Sequence, residues 1–169
     1  GYLVRRGLAP ADAEIEVAEL AGGVSATVVS ARIPATGTAV VVKQALPYVR
    51  LVGDSWPLPL KRSFFEYHAL SRQAERDPGM VPEIFHFDAG QAIIVMEFLS
   101  PHIILRRALI AGQELPKIAK DLGLFLARTL FRGSDLCLDT KIRKADLALF
   151  ADNVALCDIT ESLVFSDPY

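Results

Sequence analysis

The sequence has little cysteine and no cluster of metal-binding side chains. Only two of its 169 residues are cysteines, Cys137 and Cys157, and they lie far apart with no Cys-x-x-Cys pair. This usage favours reduced, mostly buried thiols in a reducing compartment over a disulfide. The three histidines are not clustered either.

An excess of positive charge and long apolar runs are also missing. The chain has 18 Lys and Arg against 20 Asp and Glu, for a net charge of −2. A general nucleic-acid binder usually carries a basic patch or stripe. No segment approaches the ~20 apolar residues of a membrane span, and the start shows no signal-peptide pattern. We expect a cytoplasmic protein with neither a nucleic-acid nor a membrane partner.

What the chain does have is enough apolar sequence for a packed core. Hydrophobic residues make up 51% and charged residues 22%, which excludes wholesale disorder. The length fits one domain, or one domain and part of another. The chain begins with Gly1 and ends on Ser-Asp-Pro-Tyr without an obvious cap. We therefore expect it to be a piece of a longer protein.

Residues 39–57, AVVVKQALPYVRLVGDSWP, form the stretch around which the chain is organised. Three consecutive β-branched valines favour a strand. Alternation places Lys43 on the same face as Ala39 and Val41, which is otherwise apolar. A lysine there is costly unless it meets an anion, carboxylate or phosphate, or extends its ammonium group to water. The strand then leads through Pro47 into a Gly-Asp-Ser-Trp-Pro loop.

Five β-rich runs predict an antiparallel sheet with one helix inserted after the third strand. The first three runs are joined by two short turns, which is typical of a meander. The first turn, Gly22-Gly23, is either a plain hairpin turn or a loop whose N–H groups approach an anion closely. In the second turn, Gly37 is free to take a positive φ. The predicted strands are residues 15–20, 24–33, 39–43, 83–87 and 91–98.

The inserted helix is predicted over residues 58–76, where Glu66 borders an apolar stripe. Beyond the fifth strand the sequence predicts helices only. Residues 114–132 and 141–150 show helical patterns, and residues 153–165 are ambiguous, with a cap-like start at Thr160. The predicted fold class is α+β. The stripe of the inserted helix consists of Leu60, Phe64, Tyr67, Leu70 and Ala74.

The local motifs carry a family resemblance. The string VVKQALPYVRLVGDSWPL is similar to the signature of S-methyl-5-thioribose kinases, in which V-I-K-Q-A-x-P-Y-x-R leads into G-E-S-W-P. The resemblance continues through VPEIFHFD, PHIILRRALIAG, RTLFRGSD and LCDITESLVFSDPY, and covers residues 13–169. The PHIILR run and the FSDPY ending resemble plant-type members most.

The resemblance implies an activity and a fold. Such kinases transfer the γ-phosphoryl group of ATP, with Mg²⁺, to the 1-hydroxyl of S-methyl-5-thioribose in methionine salvage. Their fold is similar to that of aminoglycoside and choline kinases, and members tend to be homodimers. We accordingly expect residues 1–98 to form a protein-kinase-like small lobe. Residues 99–169 would be the hinge exit and the first helices of a truncated large lobe.

The resemblance also implies site residues. Lys43 matches the lysine that holds the α- and β-phosphates, and Glu66 matches the helix carboxylate that orients this lysine. Met96, Glu97, Phe98 and Leu99 match the hinge that binds adenine. Contacts there would come from the Glu97 carbonyl and the Leu99 N–H group, with Met96 lining the pocket. Phe98 is a departure, since many members have Asp there.

Two loops match less closely. The phosphate loop of many members reads G-N-L-N, whereas this chain has GGVSA, in which Gly23 and Ser25 are the remaining candidates for phosphate contact. Gly53, Asp54, Ser55 and Trp56 match a lid-like loop, with Asp54 where Glu is usual. Such a lid would exclude water from the reacting groups. Alternatively, Trp56 is a structural residue that packs at the helix start.

The catalytic motifs of the family, of the H-G-D and D-x-E types, do not occur in a suitable place. His86-Phe87-Asp88 spells H-x-D, but it lies at a predicted hairpin and lacks the following asparagine of a kinase catalytic loop. We therefore expect no catalytic and no metal-binding residue in this chain, which would be inactive by itself. The alternatives are another small-molecule kinase of this superfamily or a non-catalytic nucleotide-binding module.

Overall fold

A computed structural model of the chain describes residues 1–21, 23–51 and 53–166. By their internal contacts the residues form two compact units, one of residues 1–64 and 84–98 and the other of residues 65–83 and 99–169. Gly22 of the predicted Gly-Gly turn and the last three residues of the FSDPY ending lie outside the described residues. The expected domain boundary after residue 98 stays a prediction.

The first unit is built on an antiparallel sheet, as the sequence predicted. Its strand order is β1-β2-β3-β7-β6, so the meander of the first three strands is extended by the later hairpin. Strands β4 and β5 form a separate two-stranded ribbon. The strands of the described residues are β1 (Glu16–Glu19), β2 (Ala26–Ile33), β3 (Thr38–Ala45), β4 (Tyr48–Val49), β5 (Gly53–Pro57), β6 (Ile84–Asp88) and β7 (Ile93–Glu97).

One face of this sheet is covered by the N-terminal segment, which the sequence analysis left unassigned. A short helix, α1 (Tyr2–Arg5), buries Leu3 against the sheet together with Ala9. Strand β7 is covered on both faces, as its continuous apolar run predicted, and Val95 has no exposed surface. The sheet residues in this core are Ala31, Ile33, Val40, Ile93 and Val95.

The inserted helix, α2 (Arg62–Arg76), begins four residues later than predicted. Pro59 restricts the residue before it to extended backbone, so Leu58 cannot start a helix. Instead, Arg62 and Ser63 donate their N–H groups to the carbonyls of Pro59 and Leu60, at 3.3 and 3.1 Å. The predicted stripe is also incomplete, because Leu60 is exposed whereas Phe65 is buried. The α+β fold class and the insertion of one helix between the third and fourth strands of the sheet are nevertheless as predicted.

The second unit is helical. The C-terminal half of α2 is joined to α5 (Thr140–Ala151) by Asp146, whose carboxylate pairs with Arg72 at 2.8 Å and Arg76 at 3.3 Å. A helix begins at Val154, six residues before the cap that the sequence suggested at Thr160. The described helices are α3 (Leu105–Ile110), α4 (Ile118–Phe131), α5 and α6 (Val154–Glu161), followed by a π-helical segment, Ser162–Ser166.

The two cysteines are free, as expected, but both are exposed rather than buried. That expectation came from the usual preference of thiols for the interior, but the second unit leaves many large apolar side chains exposed as well. Among the described residues, no helix combines the length and apolar character needed to cross a membrane.

Candidate functional site

Lys43 lies on the sheet face opposite to the N-terminal core. It stands in register with Val28 of β2 and Ile94 of β7. Side chains directly opposite in an antiparallel pair lie on the same face, so these two apolar residues flank the lysine. Lys43 is half-buried. The predicted alternation, with Lys43 projecting from an otherwise apolar face, is confirmed for this part of the sheet.

A cavity of about 340 Å³ joins Lys43 to the turn between β1 and β2. Gly23 and Ser25, the two predicted phosphate-loop residues, both line it. The structure therefore brings three of the predicted site residues together in one cavity within the first unit. The remaining lining residues are Leu20, Ala21, Val24, Ala26 and Val28.

The turn is closed in a way that requires glycine. A Cβ atom on Gly23 would overlap the carbonyl oxygen of Ala26. Leu20 donates its N–H group to the Val28 carbonyl at 2.8 Å, which joins the two strands at the base of the turn. A loop without a side chain at this position leaves its backbone close to whatever occupies the cavity.

The predicted hinge residues lie at the end of β7 and directly after it. Met96 stands opposite Val41, so it shares the face of Lys43, whereas Glu97 stands opposite Val40 on the other face. The guanidinium group of Arg32 lies 4.9 Å from the centre of the Phe98 ring, a cation–π contact that an aspartate could not make. Leu99, which is exposed, belongs to the second unit.

The predicted Gly-Asp-Ser-Trp-Pro loop is a strand. Gly53 to Pro57 form β5, which pairs with β4 in the two-stranded ribbon. Gly53 has a φ of 64°, so glycine is needed where the ribbon turns back. Asp54, Ser55 and Trp56 are exposed. The exposure of Trp56 argues against the alternative that it is a structural residue packed at the helix start. The function of the ribbon as a lid stays a prediction.

Glu66 lies in α2, in the part of the helix that belongs to the second unit, and is half-buried. Its predicted function in orienting Lys43 stays a prediction.

The H-x-D sequence is structural, as its hairpin position indicated. His86 and Asp88 lie in β6. The Asp88 carboxylate accepts hydrogen bonds from the Tyr2 hydroxyl at 3.1 Å, the Arg6 guanidinium and the Gln91 N–H at 3.0 Å. These donors, the Gln91 N–H group first, hold the pKa of Asp88 below its usual range. This carboxylate thus anchors the N-terminal segment.

Sequence reasoning missed a buried arginine beside the cavity. Arg62, the first residue of α2, has only 8% of its surface exposed and donates to the carbonyl oxygens of Ser25 and Leu46. A charged residue at the start of a helix usually lies in solvent, so the identity of Arg62 alone did not indicate that it is buried.

An antiparallel five-stranded sheet, a single helix inserted between its strands β3 and β6, and a lysine on β3 beside a glycine turn define the small lobe of a protein-kinase-like fold. Among the described residues, no group of three His, Cys, Asp or Glu side chains could hold a metal ion.

Comparison with known proteins agrees with this fold class and with the resemblance seen in the motifs. No protein-family model matches the chain. Methylthioribose kinase 1 of Oryza sativa subsp. japonica is 48% identical over 131 residues, which are 77% of this chain and 30% of the relative. Methylthioribose kinases of Escherichia coli O45:K1 and Bacillus pumilus are 44% and 46% identical, over 81% and 76% of this chain.

The chain belongs to the methylthioribose kinase family. It spans about a third of the length of the curated relatives that it matches, between 30% and 33% in these three cases.

Proposed function

We propose that the protein is an ATP-dependent kinase that phosphorylates S-methyl-5-thioribose on its 1-hydroxyl group, a step in methionine salvage. The names of the relatives support the substrate and the kind of reaction. The observation that carries the proposal for this chain is the cavity in which Lys43 meets Gly23 and Ser25. These residues form the half-site that holds the phosphates of the nucleotide.

The cavity suits phosphate in three respects. Lys43 brings a cation to an apolar face, where its attraction to an anion is little screened. The turn places backbone around Gly23, where a Cβ atom has no room. Ser25 adds a hydroxyl group that donates one hydrogen bond. ATP would supply the γ-phosphoryl group that is transferred.

The adenine ring would lie on the same sheet face, next to the phosphate half-site. Val28, Val41 and Met96 provide an apolar surface on that face by their register. In this proposal the Glu97 carbonyl and the Leu99 N–H group bind the adenine edge, and Glu66 orients Lys43. Backbone contacts of this kind tolerate a change of side chain, which accommodates Phe98.

Phosphoryl transfer also needs an aspartate that orients the acceptor hydroxyl and carboxylates that hold Mg²⁺. Among the described residues, no three His, Cys, Asp or Glu side chains are grouped so that they could hold a metal ion. In the proposal these groups come from the part of the relatives that this chain does not span. This chain would therefore bind nucleotide without catalysing transfer, and the active protein would be a homodimer.

Nucleotide binding is tested by titration calorimetry of this chain with ATP and Mg²⁺. Replacing Lys43 by alanine removes the only charged donor lining the cavity among the described residues. Loss of charge-assisted hydrogen bonds to phosphate lowers affinity about tenfold or more. Lys144→Ala, at an exposed position of α5, is the matched control. Equal ATP affinity in a folded Lys43→Ala variant would contradict the phosphate half-site.

The substrate is tested with the protein from the longest open reading frame that contains this sequence. We expect phosphorylation of S-methyl-5-thioribose and little of an aminoglycoside, choline or homoserine in the same assay. Turnover of one of the other acceptors instead would support another small-molecule kinase. Nucleotide binding without any turnover would support the non-catalytic module.

A further inference from the structure

The side chain of Arg62 joins three separate segments of the first unit. Its Nη1 donates to the Pro59 carbonyl at 2.9 Å, and its Nη2 donates to the carbonyls of Leu46, at 2.6 Å, and Ser25. Ser25 belongs to the glycine turn, Leu46 follows β3, and Pro59 precedes α2. A guanidinium group is suited to this because its donors form a rigid planar fork.

The burial of Arg62 makes these hydrogen bonds energetically important. Arg62 is 8% exposed, so water is largely excluded from its donors. A buried charge must be compensated by hydrogen bonds, and a buried carbonyl that loses its donor is destabilised. The fork of Arg62 therefore contributes to holding the three segments in place.

Residues near Leu46 and Arg50 also hold the glycine turn through backbone hydrogen bonds. Leu46 donates its N–H group to the Ser25 carbonyl at 3.0 Å, so this oxygen accepts two hydrogen bonds. Arg50, next to the β4–β5 ribbon, donates its N–H group to the Val24 carbonyl at 2.7 Å. Two successive carbonyls of the turn, Val24 and Ser25, are thus held by donors of Leu46, Arg50 and Arg62, while both turn residues line the cavity.

We propose that Arg62 is a positioning residue for nucleotide binding: it holds the carbonyl of Ser25 so that the turn keeps its donors toward the phosphates beside Lys43. This inference rests on the proposed function of the cavity as a phosphate half-site. Arg62 does not line the cavity; it acts through Ser25. Its loss lets the turn relax and weakens contacts to phosphate, while contacts to the rest of the nucleotide are kept.

The test compares ATP with adenosine, which has no phosphate, as ligands of the protein from the longest open reading frame containing this sequence. In Arg62→Met, we expect ATP affinity to fall about tenfold, because the relaxed turn loses about one hydrogen bond to a phosphate group, and adenosine affinity to stay unchanged. In Arg62→Lys, the single ammonium group can serve two neighbouring carbonyls but not all three positions. Its ATP affinity should lie between those of Arg62→Met and the wild type.

Arg5→Met, at an exposed position of α1, is the matched control and should bind both ligands normally. Unchanged ATP affinity in Arg62→Met, or an equal fall in ATP and adenosine affinity, would show that Arg62 only stabilises the fold. If Arg62→Met does not fold, Arg62→Lys decides by the same criterion. Lys43→Ala separates the two proposals, because normal ATP binding by that variant would refute the half-site itself.

Discussion

Gly23 is the residue at which the turn beside the cavity admits no side chain. We expect Gly23→Ala to lower the free energy of unfolding by about 1–3 kcal/mol, because a Cβ atom overlapping a backbone oxygen forces the turn to shift. ATP affinity should fall as well. Urea unfolding and calorimetric titration measure the two effects.

Gly123→Ala is the matched control for that substitution. Gly123 lies within α4, and a Cβ atom there meets nothing within 4 Å. Alanine is favoured over glycine in a helix by about 1 kcal/mol, so this variant should be slightly more stable than the wild type. A Gly23→Ala variant as stable as the wild type would mean that the turn adjusts without cost.

Through Asp88, the stability of the first unit depends on pH in the acid range. Its pKa is lowered in the folded state, chiefly by the Gln91 N–H group and further by Tyr2 and Arg6. Stability from this carboxylate is therefore fully present above the unfolded pKa of about 3.9, and is lost as the pH falls through the lower folded value.

We expect the thermal stability of Asp88→Asn to vary less than that of the wild type between about pH 5 and pH 3, since asparagine does not ionise. Thermal unfolding followed by circular dichroism over this range measures the difference. Asp12→Asn, at an exposed position, is the control. Parallel curves for Asp88→Asn and the wild type would show that Asp88 contributes nothing to the acid dependence.

Among the elements, the β4–β5 ribbon carries the only tryptophan of the chain. If the ribbon closes over bound ligands, the exposed Trp56 side chain moves into a drier environment. We expect its fluorescence emission to shift to shorter wavelength when the protein from the longest open reading frame binds ATP and S-methyl-5-thioribose together.

Two variants make that experiment specific to the ribbon. Trp56→Phe should remove the signal contributed by this segment while leaving ATP affinity nearly unchanged. Gly53→Ala should weaken the shift, because alanine is strained at a φ of 64°. Emission that stays constant while calorimetry shows both ligands bound would contradict the lid.

At the scale of the whole molecule, the second unit exposes many large apolar side chains. Leu130 of α4 and Leu136 are 70% and 83% exposed, and Leu122 and Leu126 of α4 are 47% and 46% exposed. Exposed apolar surface of this extent promotes association. Leu109, Ile110, Leu147, Val154 and Phe165 are also more than half exposed.

We expect this 169-residue chain to associate as its concentration rises, and sedimentation velocity measures this. The double variant Leu130→Glu, Leu136→Glu should associate less, because two charges interrupt the apolar surface. Gln113→Glu, at an exposed polar position, adds a charge without removing apolar surface and should behave like the wild type. A wild-type chain that stays monomeric throughout would refute this expectation.

The sequence by itself was sufficient for the fold class, the order of the sheet-forming strands and the face on which Lys43 projects. These follow from local rules: valine-rich runs form strands, side chains alternate along them, and glycine-containing turns separate them. The family also followed from the sequence, because contiguous motifs around Lys43 and Trp56 are specific by themselves.

Other features were decided by tertiary structure. Helix α1 is only four residues long, too short for a periodic pattern, and it forms because Leu3 packs against the sheet. The lid segment pairs as a strand, since hydrogen bonds to β4 satisfy its backbone. Arg62 is buried because the carbonyls of Ser25 and Leu46, which are distant in sequence, converge on it together with that of the neighbouring Pro59. Such convergence depends on contacts between residues far apart in sequence, which local patterns do not encode.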